Sequence, residues 1–157
     1  MKIELWVVGK TNFAYLDEGI GLYTRRLSHY LKFSVTIIAD QKNVTNIDNQ
    51  LLKKLEGNAI LKKITADDFL ILLDERGNEM TSEALAKWLE RQLQSQQKRL
   101  IFLIGGAFGF SDEVYARANM QWSLSKLTFS HQMIRLFAVE QIYRAMTILR
   151  NEPYHNS

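Results

Sequence analysis

Leu100-Ile101-Phe102-Leu103-Ile104-Gly105-Gly106-Ala107-Phe108-Gly109 is a bare apolar run that breaks into glycines, and its reading decides the fold. A strand buried on both faces has this uninterrupted composition, whereas a half-exposed strand alternates. The glycines let the main chain turn and come close to a ligand. A second run, Trp122-Ser123-Leu124-Ser125-Lys126-Leu127-Thr128-Phe129, breaks in the same way before a helical segment opening Ser130-His131-Gln132. Ligands in open α/β sheets bind outside the carboxyl ends of the strands. Two such endings close in sequence point to one site.

Working outward, apolar runs at Ile3–Val8, Phe33–Ala39, Phe69–Leu73 and around Trp122–Leu124 join Leu100–Ile104 as expected strands. The segments between them have helical periodicity. Leu85, Trp88, Leu89 and Leu93 share one face after Thr81 or Ser82 as N-cap. Asn46–Lys63 repeats the pattern with Leu51, Leu52, Leu55 and Ile60. Ser111-Asp112-Glu113 opens another helix, with acids where the helix dipole favours them. Strands alternating with helices predict an α/β fold, a mainly parallel sheet with helices on both faces, in a single domain of residues 1–157. The last helix, about His131 to Arg150, carries apolar residues around more of its circumference than one core-facing stripe needs: Met133, Ile134, Leu136, Phe137, Ala138 and Val139. Such a helix is buried on most sides, either in its own core or against a second subunit.

A chain of 157 residues with 46% hydrophobic residues and one proline can build a real core. No apolar stretch approaches the roughly 20 residues of a membrane span. The N-terminal Met1-Lys2-Ile3-Glu4-Leu5-Trp6-Val7-Val8-Gly9 has an acid inside its apolar run and reads as a first strand, not a signal peptide, so a cytoplasmic protein is expected. The absence of cysteine excludes disulfides, thiolate metal sites and a cysteine nucleophile. His29, His131 and His155 are too far apart for a local metal motif, and no metal is expected. A net charge of +3 permits contact with nucleic acid without requiring it.

Gly105-Gly106-Ala107-Phe108-Gly109 matches neither the dinucleotide fingerprint nor the phosphate loop, and by itself suits a strand-to-helix turn needing positive φ. Asp74-Glu75-Arg76-Gly77 offers carboxylates at a third strand end, or simply a charged turn. His131 can donate to a ligand or cap the last helix. Glu140 and Arg144, spaced i, i+4, form a charged strip on an otherwise apolar helix. The tail Glu152-Pro153-Tyr154-His155 places two aromatic residues where chain ends usually fray, which makes sense if it folds over something.

Together with Val7-Val8-Gly9-Lys10, the glycine run, Leu124–Phe129 before His131-Gln132-Met133, and Glu140-Gln141-Ile142-Tyr143-Arg144-Ala145 with Pro153-Tyr154-His155 give the chain a full-length resemblance. It resembles the bacterial ribosomal large subunit pseudouridine methyltransferase H family. Ser130 departs from the proline that many members carry before the histidine. The resemblance implies the SPOUT class of S-adenosylmethionine-dependent methyltransferases, a trefoil knot in the C-terminal half, and a homodimer. It also implies methylation of N3 of a pseudouridine in 23S rRNA, on the assembled ribosome. Carried over by position, Leu73, Gly105, Leu124, Ser125, Lys126, Leu127, Thr128 and Phe129 would bind the cofactor.

Methyl transfer from a sulfonium needs the nucleophile held in line with the methyl group. The imide N3 must also lose a proton, so a base or a stabilising cation would help. His155, Tyr154, Arg144 and Glu140 are the candidates, with the tail pair at the target base, Arg144 supplying charge and Glu140 orienting it. A non-catalytic nucleotide- or RNA-binding α/β module would share the strand-end loops but has no use for the Tyr154-His155 tail.

Overall fold

The computed structural model describes residues 1–41 and 48–156. In chain order its elements are β1 (Lys2–Val8), α1 (Ala14–Leu27), β2 (Lys32–Ile38), α2 (Asn49–Leu61), β3 (Asp68–Glu79), α3 (Ser82–Leu93), β4 (Arg99–Ile104), α4 (Asp112–Arg117), β5 (Met120–Ser123) and α5 (Met133–Leu149). Among the described residues the strands form one sheet of order β2-β1-β4-β3-β5, and every pairing is parallel. The apolar run Leu100–Ile104 lies at its centre. Leu100, Phe102 and Ile104 face one way, into a core closed by Ile20 and Leu27 of α1, Leu85 and Leu89 of α3, and Ala138, Val139 and Ile142 of α5. Ile101 and Leu103 face the other way, against Ile60 of α2 and Val114 of α4. Both faces are buried, which is why the run does not alternate.

Local signals set the helix starts. The Thr81 hydroxyl, not that of Ser82, caps α3 by accepting from the Ala84 N–H at 3.1 Å. Ser111 caps α4 from Val114 at 3.3 Å. The first two residues of the helix expected from Asn46 lie outside the described residues, and α2 starts at Asn49 behind the Asp48 cap. Glycine at 57 lets α2 press against the start of α4, since a Cβ there would lie 2.4 Å from Ser111 Oγ.

The third strand differs from its expected end at Leu73. Asp74–Gly77 leaves the ladder, and Asn78 rejoins it opposite Trp122, the residue that Leu73 also faces. Gly77 permits the return, because a Cβ there would sit 2.6 Å from the Gln121 carbonyl carbon. The charged segment is therefore an excursion within β3 and not a terminal turn.

At the amino ends of the strands the ladder puts Lys2, Asp68 and Arg99 in register. Arg99 grips Asp68 through Nε at 2.8 Å and Nη2 at 2.6 Å, and lies over the Trp6 ring at 5.5 Å. Trp6 in turn donates to Glu4 at 2.6 Å. Burial raises the Asp68 pKa, but the Arg99 and Thr65 hydrogen bonds outweigh it and hold the carboxyl below its ordinary value. Among the described residues, no helix is long and apolar enough to cross a membrane.

Candidate active site

A cavity of about 560 Å³ opens at the carboxyl ends of β3, β4 and β5. One wall is the Gly105–Gly109 loop, which closes with the Gly109 N–H donating to the Gly106 carbonyl at 3.2 Å. Only Gly109 has the positive φ expected of this loop, at 85°. Gly105 is glycine for a different reason: a Cβ there would point at the Phe110 ring, 3.0 Å away. A Cβ at Gly106 would likewise lie 2.9 Å from the Glu56 carboxylate oxygens. The loop's main chain thus faces the cavity while its Cα positions are pressed from behind.

The opposite wall is the run after β5. Ser123 Oγ donates to the Ser125 carbonyl at 2.7 Å, and Ser125 Oγ accepts from the Leu127 N–H at 3.0 Å, so the two serines set the bends. Leu73, Leu124, Ser125, Leu127, Thr128 and Phe129 all line the cavity; Lys126 does not. Leu127 is 70% exposed at the rim. Thr128 Oγ1 donates to Glu75 at 2.6 Å, clipping this wall to the β3 excursion. Within the excursion, Tyr115 donates to Asp74 and accepts from Arg76 at 3.0 Å. Burial opposes the Asp74 charge, but the Tyr115 hydroxyl and the Arg76 N–H groups hold its carboxyl below the usual range. The Trp122 indole N–H is buried in the wall without an acceptor.

The floor is tied to both ends of the chain. Arg135 is 0% exposed and donates to the carbonyls of Val8 at 2.7 Å, Gly9 at 2.9 Å and His131 at 3.1 Å, and to Thr11 Oγ1 at 3.1 Å. Gln132 accepts from the Asn12 N–H and donates to the Lys10 carbonyl. The opening Val7-Val8-Gly9-Lys10 motif thus secures the start of α5. The Ser130 hydroxyl ties the turn before α5 by accepting from the Met133 N–H at 3.1 Å. His131 lines the cavity.

The tail is ordered by its own turn. Asn151 takes φ 54°, the Glu152 N–H donates to the Thr147 carbonyl and the Asn151 N–H to that of Ile148. This is the Schellman reversal, in which asparagine tolerates the left-handed conformation. It folds Tyr154 and His155 back onto α5. Glu140 Oε1 receives Arg144 Nε at 3.1 Å, Arg144 Nη2 at 2.6 Å and the Tyr154 hydroxyl at 2.9 Å. Arg144 lies over the Tyr154 ring at 4.7 Å, and the Tyr154 hydroxyl meets that of Tyr23 at 3.2 Å. Burial and these hydrogen bonds raise the Tyr154 pKa, so the phenol stays neutral. The Glu140 hydrogen bond raises that of Arg144 further.

The structure therefore brings the four residues Glu140, Arg144, Tyr154 and His155 into one cluster, and all the cofactor candidates except Lys126 into one cavity. It does not merge the two: none of the four lines the cavity of its own chain. Sequence reasoning missed Tyr115, Tyr23, Glu83 and Arg135. Only Arg135 carries a signal, as a lone cation inside the apolar run Met133–Val139.

Comparison with known proteins gives these features a family. The family described as "Predicted SPOUT methyltransferase" matches residues 1–155. "Ribosomal RNA large subunit methyltransferase H" of Cytophaga hutchinsonii is 53% identical over 99% of this chain and 100% of its own length. The proteins of that name from Parabacteroides distasonis and Flavobacterium psychrophilum are 52% and 51% identical, each over 99% of both chains. The parallel sheet with its strand-end cavity is that of a methyltransferase, and the chain belongs to the SPOUT methyltransferase family.

Proposed function

We propose that the chain, acting as one catalytic unit of residues 1–157, transfers the methyl group of S-adenosylmethionine to N3 of a pseudouridine in 23S rRNA of the assembled ribosome. On this reading it is a cytoplasmic homodimer with a trefoil knot in its C-terminal half. The observation that carries the reading is the strand-end cavity walled by main chain. Its volume of about 560 Å³ suits a cofactor-sized ligand. Leu73, Ile104, Leu124 and Phe129 offer apolar faces for a flat ring. The Gly105–Gly109 and 124–129 segments offer N–H and C=O groups for its edge. Asp74 and Glu75 place carboxylates on the cavity wall that suit the positive sulfonium and ammonium groups of this cofactor.

When bound, S-adenosylmethionine supplies an electrophilic methyl group. The chain's part is to hold the target nitrogen in line with it and to stabilise the imide anion formed when N3 loses its proton. Arg144 is suited to that: Glu140 holds it through Nε and Nη2, Tyr154 lies against its face, and a guanidinium so held still has N–H groups to offer the substrate.

A second copy resolves the separation of cluster and cavity. From Ile134, on the cavity wall, to Arg144 is about 15 Å along α5. Met133 and Phe137 are each 40% exposed on that helix. An antiparallel pair of α5 helices centred on Phe137 sets the Ile134 end of one copy beside the Glu140 end of the other, because both lie equally far from Phe137. The charged cluster of each protomer then faces the cavity of its partner.

Ribosomes from a strain lacking the gene test the reaction. Adding protein and cofactor should place one methyl group on a 23S pseudouridine, located by mass mapping, and no transfer would overturn it. Phe137→Glu should yield monomers in sedimentation and abolish transfer. A wild-type monomer at micromolar concentration would overturn the dimer.

A further inference from the structure

We infer that Glu83 and His155 form a positioning pair for Arg144, with His155 held as the neutral Nε2–H tautomer. The inference rests on the reading that Arg144 serves the target base. His155 Nδ1 lies 3.2 Å from Arg144 Nη1, and its Nε2 lies 2.8 Å from Glu83 Oε1. A guanidinium has donors and no acceptor, so Nδ1 must present its lone pair to Arg144. A neutral ring then carries its proton on Nε2 and donates it to the Glu83 carboxylate. An imidazolium would turn a second N–H, and a positive charge, against the guanidinium.

The pair links three parts of the chain. Glu83 stands in the first turn of α3, Arg144 on α5, and His155 in the returning tail. Glu140 grips Arg144 through Nε and Nη2, and His155 takes Nη1, so the guanidinium is held at all three nitrogens. Both His155 nitrogens are occupied by this work, and neither is left to take the N3 proton. His155 acts through Arg144: it fixes where the remaining N–H groups point. Glu83 acts one step further back, by setting the tautomer that lets His155 accept. Tyr154 and Tyr23 close the other side of the cluster, the Tyr154 hydroxyl reaching both Glu140 and the Tyr23 hydroxyl.

Two measurements separate this inference from the function on which it rests. In the ribosome-free protein, long-range ¹⁵N correlation spectra report the protonation of each imidazole nitrogen. The chain has 3 histidines, and His155→Gln identifies the signals that belong to position 155. The expected result is an Nε2–H tautomer. An Nδ1–H tautomer or an imidazolium at neutral pH overturns the inference, whatever reaction the protein performs. In the methylation assay, Glu83→Gln keeps an acceptor oxygen and should retain turnover and tautomer. Glu83→Leu should mix the tautomers and lower kcat by about tenfold, about 1.4 kcal/mol of transition-state stabilisation. KM for ribosomes and cofactor affinity should hold in both variants. Unchanged kcat in Glu83→Leu, or a change confined to KM, overturns the positioning role. Failure of the wild-type protein to methylate ribosomes overturns the function and leaves the spectral result standing.

Discussion

At the amino ends of the strands, side chains answer one another: Arg99 with Asp68, Trp6 with Glu4, Lys98 with Asp67 at 2.8 Å. At the carboxyl ends of β3, β4 and β5 the main chain loops away and leaves space, and the Trp122 indole N–H remains without an acceptor. The same apolar strands run between the two ends. The difference teaches that the sheet's interior sets neither role. What matters is whether the residues flanking each strand close on themselves or stay open to a ligand. Changes at the amino end should therefore alter stability, and changes at the carboxyl end should alter chemistry.

The hardest test of that division is Arg144→Ala, at a residue on α5 that reaches a strand-end cavity only across the proposed dimer. Losing the one guanidinium assigned to the target base should lower methyl transfer by about 10²–10³-fold, the scale of removing a donor to a developing anion. The melting temperature should change little, because Arg144 is partly exposed. A large fall in melting temperature with kcat per folded molecule intact would break the comparison.

Asp68→Asn is the reverse case. It should remove about 2 kcal/mol of stability, the worth of hydrogen bonds to a charged group, with methyl transfer by the folded protein unchanged. The folded Asp68 pKa lies below its unfolded value, so the folded state binds fewer protons. Its contribution is fully present above the unfolded value of about 4 and is lost as pH falls through the folded one. Denaturant titrations should show the wild-type advantage over Asp68→Asn shrinking in that acid window. An advantage that grows there would contradict the pairing.

The smallest effect should come from Thr128→Val. It removes the clip to Glu75 and keeps the side-chain volume, so cofactor affinity in calorimetry should fall by about threefold, about 0.7 kcal/mol. Unchanged affinity would show that the two walls need no fastening.

The sequence makes the strand-end loops visible because burial on both faces leaves an unbroken apolar run, and glycines mark where it stops. Ser111 and Thr81 announce their helices by type and position. The β3 excursion was hidden: Asp74-Glu75-Arg76-Gly77 has the composition of a strand end, and its return depends on contact with the Gln121–Trp122 backbone. The role of Gly105 was legible as a need for a small residue, but its cause was not. The side chain it excludes would meet Phe110, not the cavity. The tail's aromatic residues suggested a folded-back end. Their partners Tyr23 and Glu83 come from distant segments that no local pattern joins.

Arg135 has a consequence for how the chain reaches this state. Its guanidinium is sealed away from water, and two of its acceptors, the carbonyls of Val8 and Gly9, lie 127 and 126 residues earlier. A buried cation without acceptors would be strongly disfavoured, so α5 cannot settle before the end of β1 is in place. Synthesis delivers that first strand long before the last helix. The last helix therefore docks only onto a completed end of β1, and contacts of such span make for slow folding.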